Sequence, residues 1–310
     1  IFMGAPLGYS AGLAHGPRLA IYLGATLVLQ ESWNADRALE TMAREKAAFT
    51  LTTPTLLRDL FDSPLFPEYG EQLCLKMMFC GGTYVPSSLL REAQEKLPGT
   101  LTSVIWGMTE GIGVGCRPGA PKERVSNFDG VPFLGTELKT LGEGGHETAT
   151  GEEGELVMRG PQLFLGYYKR PELNAEVSLP GGWFRTGDMA VIDAEGYVKI
   201  TGRRKELIIR GGANISPAEI EQVLSGDPRI RTLVIVGIPD ARLGERVCAC
   251  VVPHQDGFFT FAEMIEHLEA QGIAKFKLPE RLENFDQLPR SAGEKFNKVA
   301  IRQTIADRGS

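Results

Sequence analysis

The chain has 310 residues, and its 33 Lys+Arg against 39 Asp+Glu give a formal net charge of −6, a balance that argues against a nucleic-acid binder. At 43% hydrophobic and 23% charged it has the composition of a folded globular protein, which excludes disordered and collagen-like chains and leaves length for two cores. The longest apolar stretches, such as residues 19–29, are interrupted by Gly24 and fall short of the roughly 20 residues a membrane span needs, and five cysteines at non-metal spacings fit a reducing cytoplasm.

In chain order, the opening Ile1-Phe2-Met3-Gly4-Ala5-Pro6-Leu7 reads as the middle of a strand, with no basic lead of a signal peptide before it. The expectation is that residue 1 is not the start of the gene product and that upstream structure pairs with this strand. From 1 to about 125, apolar strands (25–30, 76–80, 102–105) alternate with amphipathic helices (35–48, 54–61, 87–96), which argues for βαβ units and a mostly parallel sheet. From 126 to 204 Gly-rich turns separate short strands (155–159, 189–193, 197–201), the pattern of a small β-barrel or sandwich subdomain. From 205 to 310 a helix at 217–224, strands at 232–237 and 247–252, a helix at 261–270 and a strand at 281–285 predict a separate α+β domain. Two helix starts there carry capping-box patterns, Ser216-Pro217-Ala218-Glu219 and Thr260-Phe261-Ala262-Glu263. Cys248 and Cys250 alternate on a strand, share one face, and read as buried core.

Several segments carry chemistry. Trp106-Gly107-Met108-Thr109-Glu110 follows an apolar strand and sets a ring, a hydroxyl and a carboxylate within five residues, suited to stack on a base, bond a phosphate oxygen and hold Mg²⁺. The plainer alternative is a strand end with a buried Trp and a solvated Glu. The following Gly111-x-Gly113-x-Gly115 lacks a helix after it, so it is not a dinucleotide fingerprint. Gly81-Gly82-Thr83 closes another strand and lets backbone approach a flat ligand, or is a simple turn. Thr186-Gly187-Asp188 offers a carboxylate able to accept both hydroxyls of a ribose, or is an ordinary Gly-Asp turn. A basic cluster, Arg203-Arg204-Lys205, precedes the glycine turn Gly211-Gly212, and Lys295 falls in a loop near the C-terminus.

Taken in order, these segments resemble the adenylate-forming superfamily of acyl-CoA synthetases, aryl-acid AMP ligases, peptide-synthetase adenylation domains and luciferases, over essentially the whole chain. Residues 24–30, 239–246 and 277–282 look most like bacterial acyl-CoA ligases of the cyclohexanecarboxylate and medium-chain type. The fold this resemblance implies is α/β. Residues 1–204 would be a truncated large domain (1–125 a parallel-sheet subdomain, 126–204 a β-barrel subdomain), and 205–310 a mobile α+β C-terminal domain. The implied activity is an ATP-dependent ligase that makes an acyl-adenylate from a carboxylic acid and passes the acyl group to CoA. An aryl-acid ligase that loads an acyl carrier protein is the alternative, and a non-catalytic nucleotide-binding fragment is the alternative of another class.

By match to the motifs, Gly81, Gly82 and Thr83 would line the adenine with Trp106 and Gly107, Thr109 would touch the α-phosphate, and Glu110 would hold Mg²⁺. Asp188, assisted by Arg203, would bind the ribose of ATP or AMP; Lys205 would be the hinge; Gly211 and Gly212 would line the thiol channel; Tyr9 and Met108 would shape the acyl pocket. Lys295 would neutralise charge as the carboxylate attacks the α-phosphate, and is preferred over Lys298 for that role. There are three departures from the family pattern. Its phosphate loop ending in Pro-Lys-Gly is expected to precede residue 1, so the chain as given lacks its β,γ-phosphate grip and is expected to turn over ATP poorly. Tyr9 stands where relatives often have His, with His15 more plausibly structural. Ala292-Gly293-Glu294-Lys295 replaces the usual Pro-Ser-Gly-Lys.

Overall fold

The computed structural model describes residues 1–254, 260–290 and 296–308. The chain divides into two compact units, Ile1–Ile200 and Thr201–Ser310. In the first, β1 (Phe2–Met3), β2 (Val28–Leu29), β3 (Phe49–Thr52), β4 (Met77–Gly81) and β5 (Leu101–Met108) lie parallel in the order β2-β1-β3-β4-β5. The sheet continues antiparallel through β6 (Gly111–Gly115) and β7 (Val131–Pro132). Helices Ala35–Arg44, Pro54–Asp62 and Ser87–Lys96 cross between parallel strands and bury Leu39, Met42, Leu57 and Leu90 in a core with Phe2, Met78 and Cys80. Two of the three begin on side-chain caps: Asn34 accepts from the Arg37 amide at 2.9 Å, and Thr53, ahead of Pro54, accepts from Leu56 at 3.3 Å.

Some expectations change here. The helix expected to reach residue 48 stops at Arg44, because Lys46 turns the chain with φ +50°, and the stretch Phe49–Thr52, which lies between two expected helices, is a strand. The strand at Phe2–Met3 does not wait for an upstream partner: both of its edges are taken within this chain, by β2 and β3. Residues 10–23 are helical, with a wide π-turn at Ala14–Arg18 where Pro17 has no amide to donate. Gly111–Gly115 is a strand, as the missing helix led one to expect.

The strands of the middle segment form an antiparallel sheet. Its order is β10 (Ser178–Leu179), β11 (Trp183–Ile192), β9 (Gly154–Arg159), β8 (Glu137–Leu141), with β12 (Val198–Arg203) also paired to β11. The two sheets of the first unit are joined at Gly130 and Val198, whose backbones bond at 2.8 Å, while Asp129 accepts from the Ile200 amide at 2.6 Å. Between them Val114, Leu156, Ala190 and Val198 make a small core against which Trp106 packs.

In the second unit a sheet of order β14 (Ala213–Ile215), β13 (Ile208–Arg210), β16 (Gly244–Pro253), β15 (Ile230–Asp240) carries β17 (Arg281–Asn284) parallel to β16. Helices Pro217–Leu224 and Phe261–Ala270 cover one face, and Lys298–Arg308 the other, where Cys248 and Cys250 are buried side by side as free thiols. The Thr260–Glu263 capping box forms. The one expected at Ser216 does not: the Ser216 hydroxyl donates to the Thr201 carbonyl, and Glu219 is taken by Lys277 Nζ at 2.7 Å. A tertiary acceptor and a tertiary cation outcompete the local pairing. Among the described residues no helix is long and apolar enough to cross a membrane.

Candidate functional site

The carboxyl ends of parallel strands, where the backbone turns back over the sheet, are the places such folds put their chemistry. Here β4 ends at Gly81 and its neighbour β5 ends at Met108, with Gly81 paired to Ile105. The pairing is close enough that a Cβ on Gly81 would lie 2.4 Å from the Ile105 carbonyl oxygen, so only glycine fits. Gly82 follows with φ +85°, and both it and Thr83 are exposed at the strand end.

Thr109 and Glu110 form the two-residue turn between β5 and β6, with Met108 opposite Gly111. The register slips by one residue after Trp106, which leaves Gly113 without an opposite number. The indole ring uses that gap: a Cβ on Gly113 would sit 2.3 Å from its edge carbon. Gly107 is held close to Ile112 in the same way, at 3.0 Å. Glu110 is partly buried; its carboxylate accepts from the Tyr167 hydroxyl at 2.8 Å, and its backbone carbonyl accepts from the Phe164 amide at 2.8 Å. Burial and the neighbouring carboxylate push the Tyr167 phenol up to about 12, so it stays a donor. Sequence reasoning missed Tyr167, which stands 57 residues from Glu110 with no local pattern linking them.

Asp188 arrives from the other sheet. Between Arg185 and Met189 strand β11 bulges, with Gly187 at φ +74°. Thr186 donates to the Leu156 carbonyl at 2.7 Å and accepts from the Asp188 amide at 3.1 Å, locking the bulge. The Asp188 side chain is thereby turned inward, 3% exposed, and its Oδ2 accepts from Trp106 Nε1 at 2.8 Å. Two motifs 82 residues apart thus meet through one hydrogen bond. Tyr9 caps the helix Ser10–Leu13, which lies beside β5, the strand that ends at Met108.

His15 belongs to the core beside this segment. Its ring stacks on Phe49 at 6.3 Å and meets Phe79 edge-on at 5.8 Å, while Nδ1 donates to the Ala11 carbonyl at 2.9 Å. Burial holds its pKa below the ordinary imidazole value. Because the folded value is depressed, the unfolded chain takes up the proton first, so stability is lost as pH falls through about 6.5. His15→Gln is expected to flatten the decline in urea midpoint between pH 7.5 and 5.5; an unchanged slope would assign that decline to other groups.

In the second unit Arg203, Arg204 and Lys205 are exposed, and Arg204–Glu206 forms a short 3₁₀ turn. Glu206 is ion-paired with Lys298 Nζ; burial pushes the carboxyl up, but the ammonium outweighs it and holds the group below the usual range. Lys298 is therefore committed to structure. Gly211 and Gly212, with φ +57° and +86°, form the two-residue turn between β13 and β14, the geometry that twisted hairpins prefer. Lys295 lies outside the described residues. Among those described, no three His, Cys, Asp or Glu gather as a metal cluster.

Comparison with known proteins agrees with this arrangement. The family model described as "AMP-binding enzyme" matches residues 1–168, and that of the "AMP-binding enzyme C-terminal domain" matches 219–295. The medium-chain fatty-acid–CoA ligase of Escherichia coli is 34% identical across 99% of the chain, and the indoleacetate–CoA ligase of Aromatoleum aromaticum 35% across 97%. The chain spans 54% and 58% of the length of those two relatives. Among solved structures, ATP-bound MatB from Rhodopseudomonas palustris superposes with a TM-score of 0.89 at 29% identity, covering 100% of this chain and 61% of MatB. The amide bond synthetase McbA from Marinactinospora thermotolerans gives 0.88 at 28%, covering 98% and 61%.

Proposed function

We propose, from the premise that the chain belongs to the AMP-binding enzyme family, that the protein containing it is an AMP-forming acyl-CoA ligase. The observation that carries the reading is the meeting of the Gly81–Thr83 turn, the Trp106–Glu110 turn and a buried Asp188 at the ends of β4 and β5. A nucleotide laid there has a flat surface, a hydroxyl and carboxylates in reach. Gly81, Gly82, Thr83 and Gly107 would border the adenine, Thr109 the α-phosphate, and Asp188 with Arg203 the ribose hydroxyls.

In the first half-reaction an oxygen of the acid attacks the α-phosphorus of ATP and the bond to pyrophosphate breaks, giving an acyl-adenylate. Lys295 would offset the negative charge that gathers between carboxylate and phosphate, a form of preorganised electrostatic stabilisation. Mg²⁺ in such sites is shared between one or two carboxylates and the substrate's phosphates. Glu110 fits that need, since the Tyr167 hydroxyl anchors its carboxylate at 2.8 Å, and the ion would supply neutralisation of phosphate charge. In the second half-reaction the CoA sulfur attacks the acyl carbon and AMP leaves. The small domain, 205–310, would swing about Lys205 so that Gly211 and Gly212 line the path of the thiol.

Tyr9 and Met108 would shape the acyl pocket, and the relatives' names point to a medium-chain or aryl-substituted acid. The protein would then act in fatty acid metabolism in the cytoplasm, activating fatty and related acids. The test incubates the gene product containing this chain with Mg-ATP and a mixed acid panel, with and without CoA, read by mass spectrometry. Acyl-CoA formed only with CoA is the expected result. Acyl-adenylate that accumulates and ignores CoA would move the acceptor to a carrier protein, and absence of both would overturn the reading in favour of a non-catalytic nucleotide binder.

A further inference from the structure

The indole of Trp106 has two things to offer a nucleotide, a flat face and an N–H, and the structure assigns the N–H to a neighbour. We infer that Trp106 is a positioning residue for ribose recognition: its Nε1–H fixes the rotamer of Asp188 and so sets the direction in which that carboxylate meets the ribose hydroxyls. The inference deepens the proposed function and rests on it.

Trp106 comes from the end of β5 in the seven-stranded sheet, and Asp188 from the bulge of β11 in the second sheet. They are 82 residues apart in sequence and 2.8 Å apart in space. The indole is not free to choose another pose. Its ring fills the space above Gly113 that a methyl group would close, and it packs on the core of Val114, Leu156, Ala190 and Val198 between the sheets. The acceptor is equally constrained on its backbone side, where Thr186 holds the Asp188 amide at 3.1 Å and Leu156 holds Thr186 at 2.7 Å. The bulge thus fixes the backbone that carries the Asp188 side chain, and the indole fixes one of its oxygens.

A carboxylate buried to 3% exposure is costly to turn once placed, since each orientation must satisfy its oxygens anew. Hydrogen bonds to an ionised acceptor are also the directional, strong ones. A donor that holds Oδ2 therefore tunes how the whole group presents itself to a diol. It also ties the two sheets of the first unit together at the point where the nucleotide would lie. A Trp that only stacked would need its face, and its N–H would be indifferent to the sugar.

The distinction is measurable, because stacking senses the base and Asp188 senses the sugar. Binding of AMP, 2′-deoxy-AMP and 3′-deoxy-AMP is measured by calorimetry on the full chain, wild type and Trp106→Phe. Wild type is expected to bind the deoxy nucleotides about tenfold or more weaker than AMP, since each loses one charge-assisted hydrogen bond. In Trp106→Phe, AMP should weaken roughly tenfold and each deoxy nucleotide, which keeps one hydroxyl on Asp188, only about threefold, so the sugar discrimination shrinks. Equal weakening of all three would overturn the inference and leave Trp106 as a stacking or packing residue. Wild type that binds AMP but not better than the deoxy forms would sink the ribose role of Asp188 itself. No binding of AMP at all would sink the proposed function along with it. If Trp106→Phe does not fold, the wild-type indole N–H resonance of Trp106 serves instead, assigned with Trp33→Phe and Trp183→Phe. AMP should move it far more than 2′,3′-dideoxy-AMP; equal shifts would overturn the inference.

Discussion

Asp188→Ala is expected to weaken AMP binding by roughly 10²–10⁴-fold. The estimate follows from two ribose hydroxyls donating to one ionised carboxylate, each bond worth about 1.5–3 kcal/mol, or about 3–6 kcal/mol together. The site gives reason to expect the upper half of that range. Asp188 is 3% exposed, its backbone amide is held by the Thr186 hydroxyl and its Oδ2 by the Trp106 indole, so little reordering is needed when a ligand arrives. The substitution has a second effect that must be separated from the first. It leaves the Trp106 N–H without the acceptor it holds at 2.8 Å, a loss of about 1–3 kcal/mol in fold stability. Asp188→Asn keeps an acceptor for the indole and removes the charge. Calorimetry with AMP on both variants, alongside thermal melts, should find both weak in binding but only the alanine variant markedly less stable. AMP affinity within threefold of wild type in both would remove Asp188 from the site.

The second large effect is on folding. Gly81→Ala should destabilise the first unit by about 3 kcal/mol, with a fall in its melting temperature of about 6–12 °C. The added Cβ would stand 2.4 Å from the Ile105 carbonyl oxygen and 2.9 Å from its Cγ2. Neither is the far end of a flexible side chain, so β4 and β5 would have to part where they are paired. Thr83→Ala, two residues on and exposed, is expected to change the melting temperature by no more than about 2 °C. The pair of variants separates two reasons for the same motif. Gly81 is required by the sheet before any ligand enters, whereas Thr83 has no structural duty of that kind. A Gly81→Ala protein that melts within about 2 °C of wild type would show that the strands can give way, and the glycine would then need a ligand-based explanation.

Much of the site was legible as segments, and the reasons differ from residue to residue. Thr186-Gly187-Asp188 reads from sequence as a ribose acceptor or a turn ahead of a strand at 189–193, whereas in the structure it is a bulge inside the longer strand Trp183–Ile192. The Gly111–Gly115 run is no dinucleotide motif, since no helix follows it, and its glycines instead admit rings: Trp106 at Gly113 and Phe133 at Gly115. Tyr167 was not legible. A tyrosine in a Gly-Tyr-Tyr stretch has no periodicity to mark it, and its partner Glu110 is reached only when the chain after β9 folds back over the β5–β6 turn. The Ser216 capping box failed for a related reason. The local motif was complete, but Thr201 and Lys277 offered partners that a reading confined to four residues does not contain.

By itself the sequence determined the class of structure: parallel βαβ units, an antiparallel middle segment, a distinct α+β end, and the order of motifs that marks the AMP-binding enzyme family. These follow from period, turn chemistry and short spacings, all of which act between residues a few positions apart. Only the tertiary structure decided which motif residues touch. It joined Trp106 to Asp188 and Glu110 to Tyr167, gave Lys298 to Glu206, and made Gly81 and Gly113 matters of clearance between strands and rings. The physical reason is that hydrogen-bond directions and contacts at 2–3 Å depend on strand register and bulges. A one-residue slip in β6 or an inserted turn in β11 redirects a side chain completely while leaving the local pattern of the sequence unchanged.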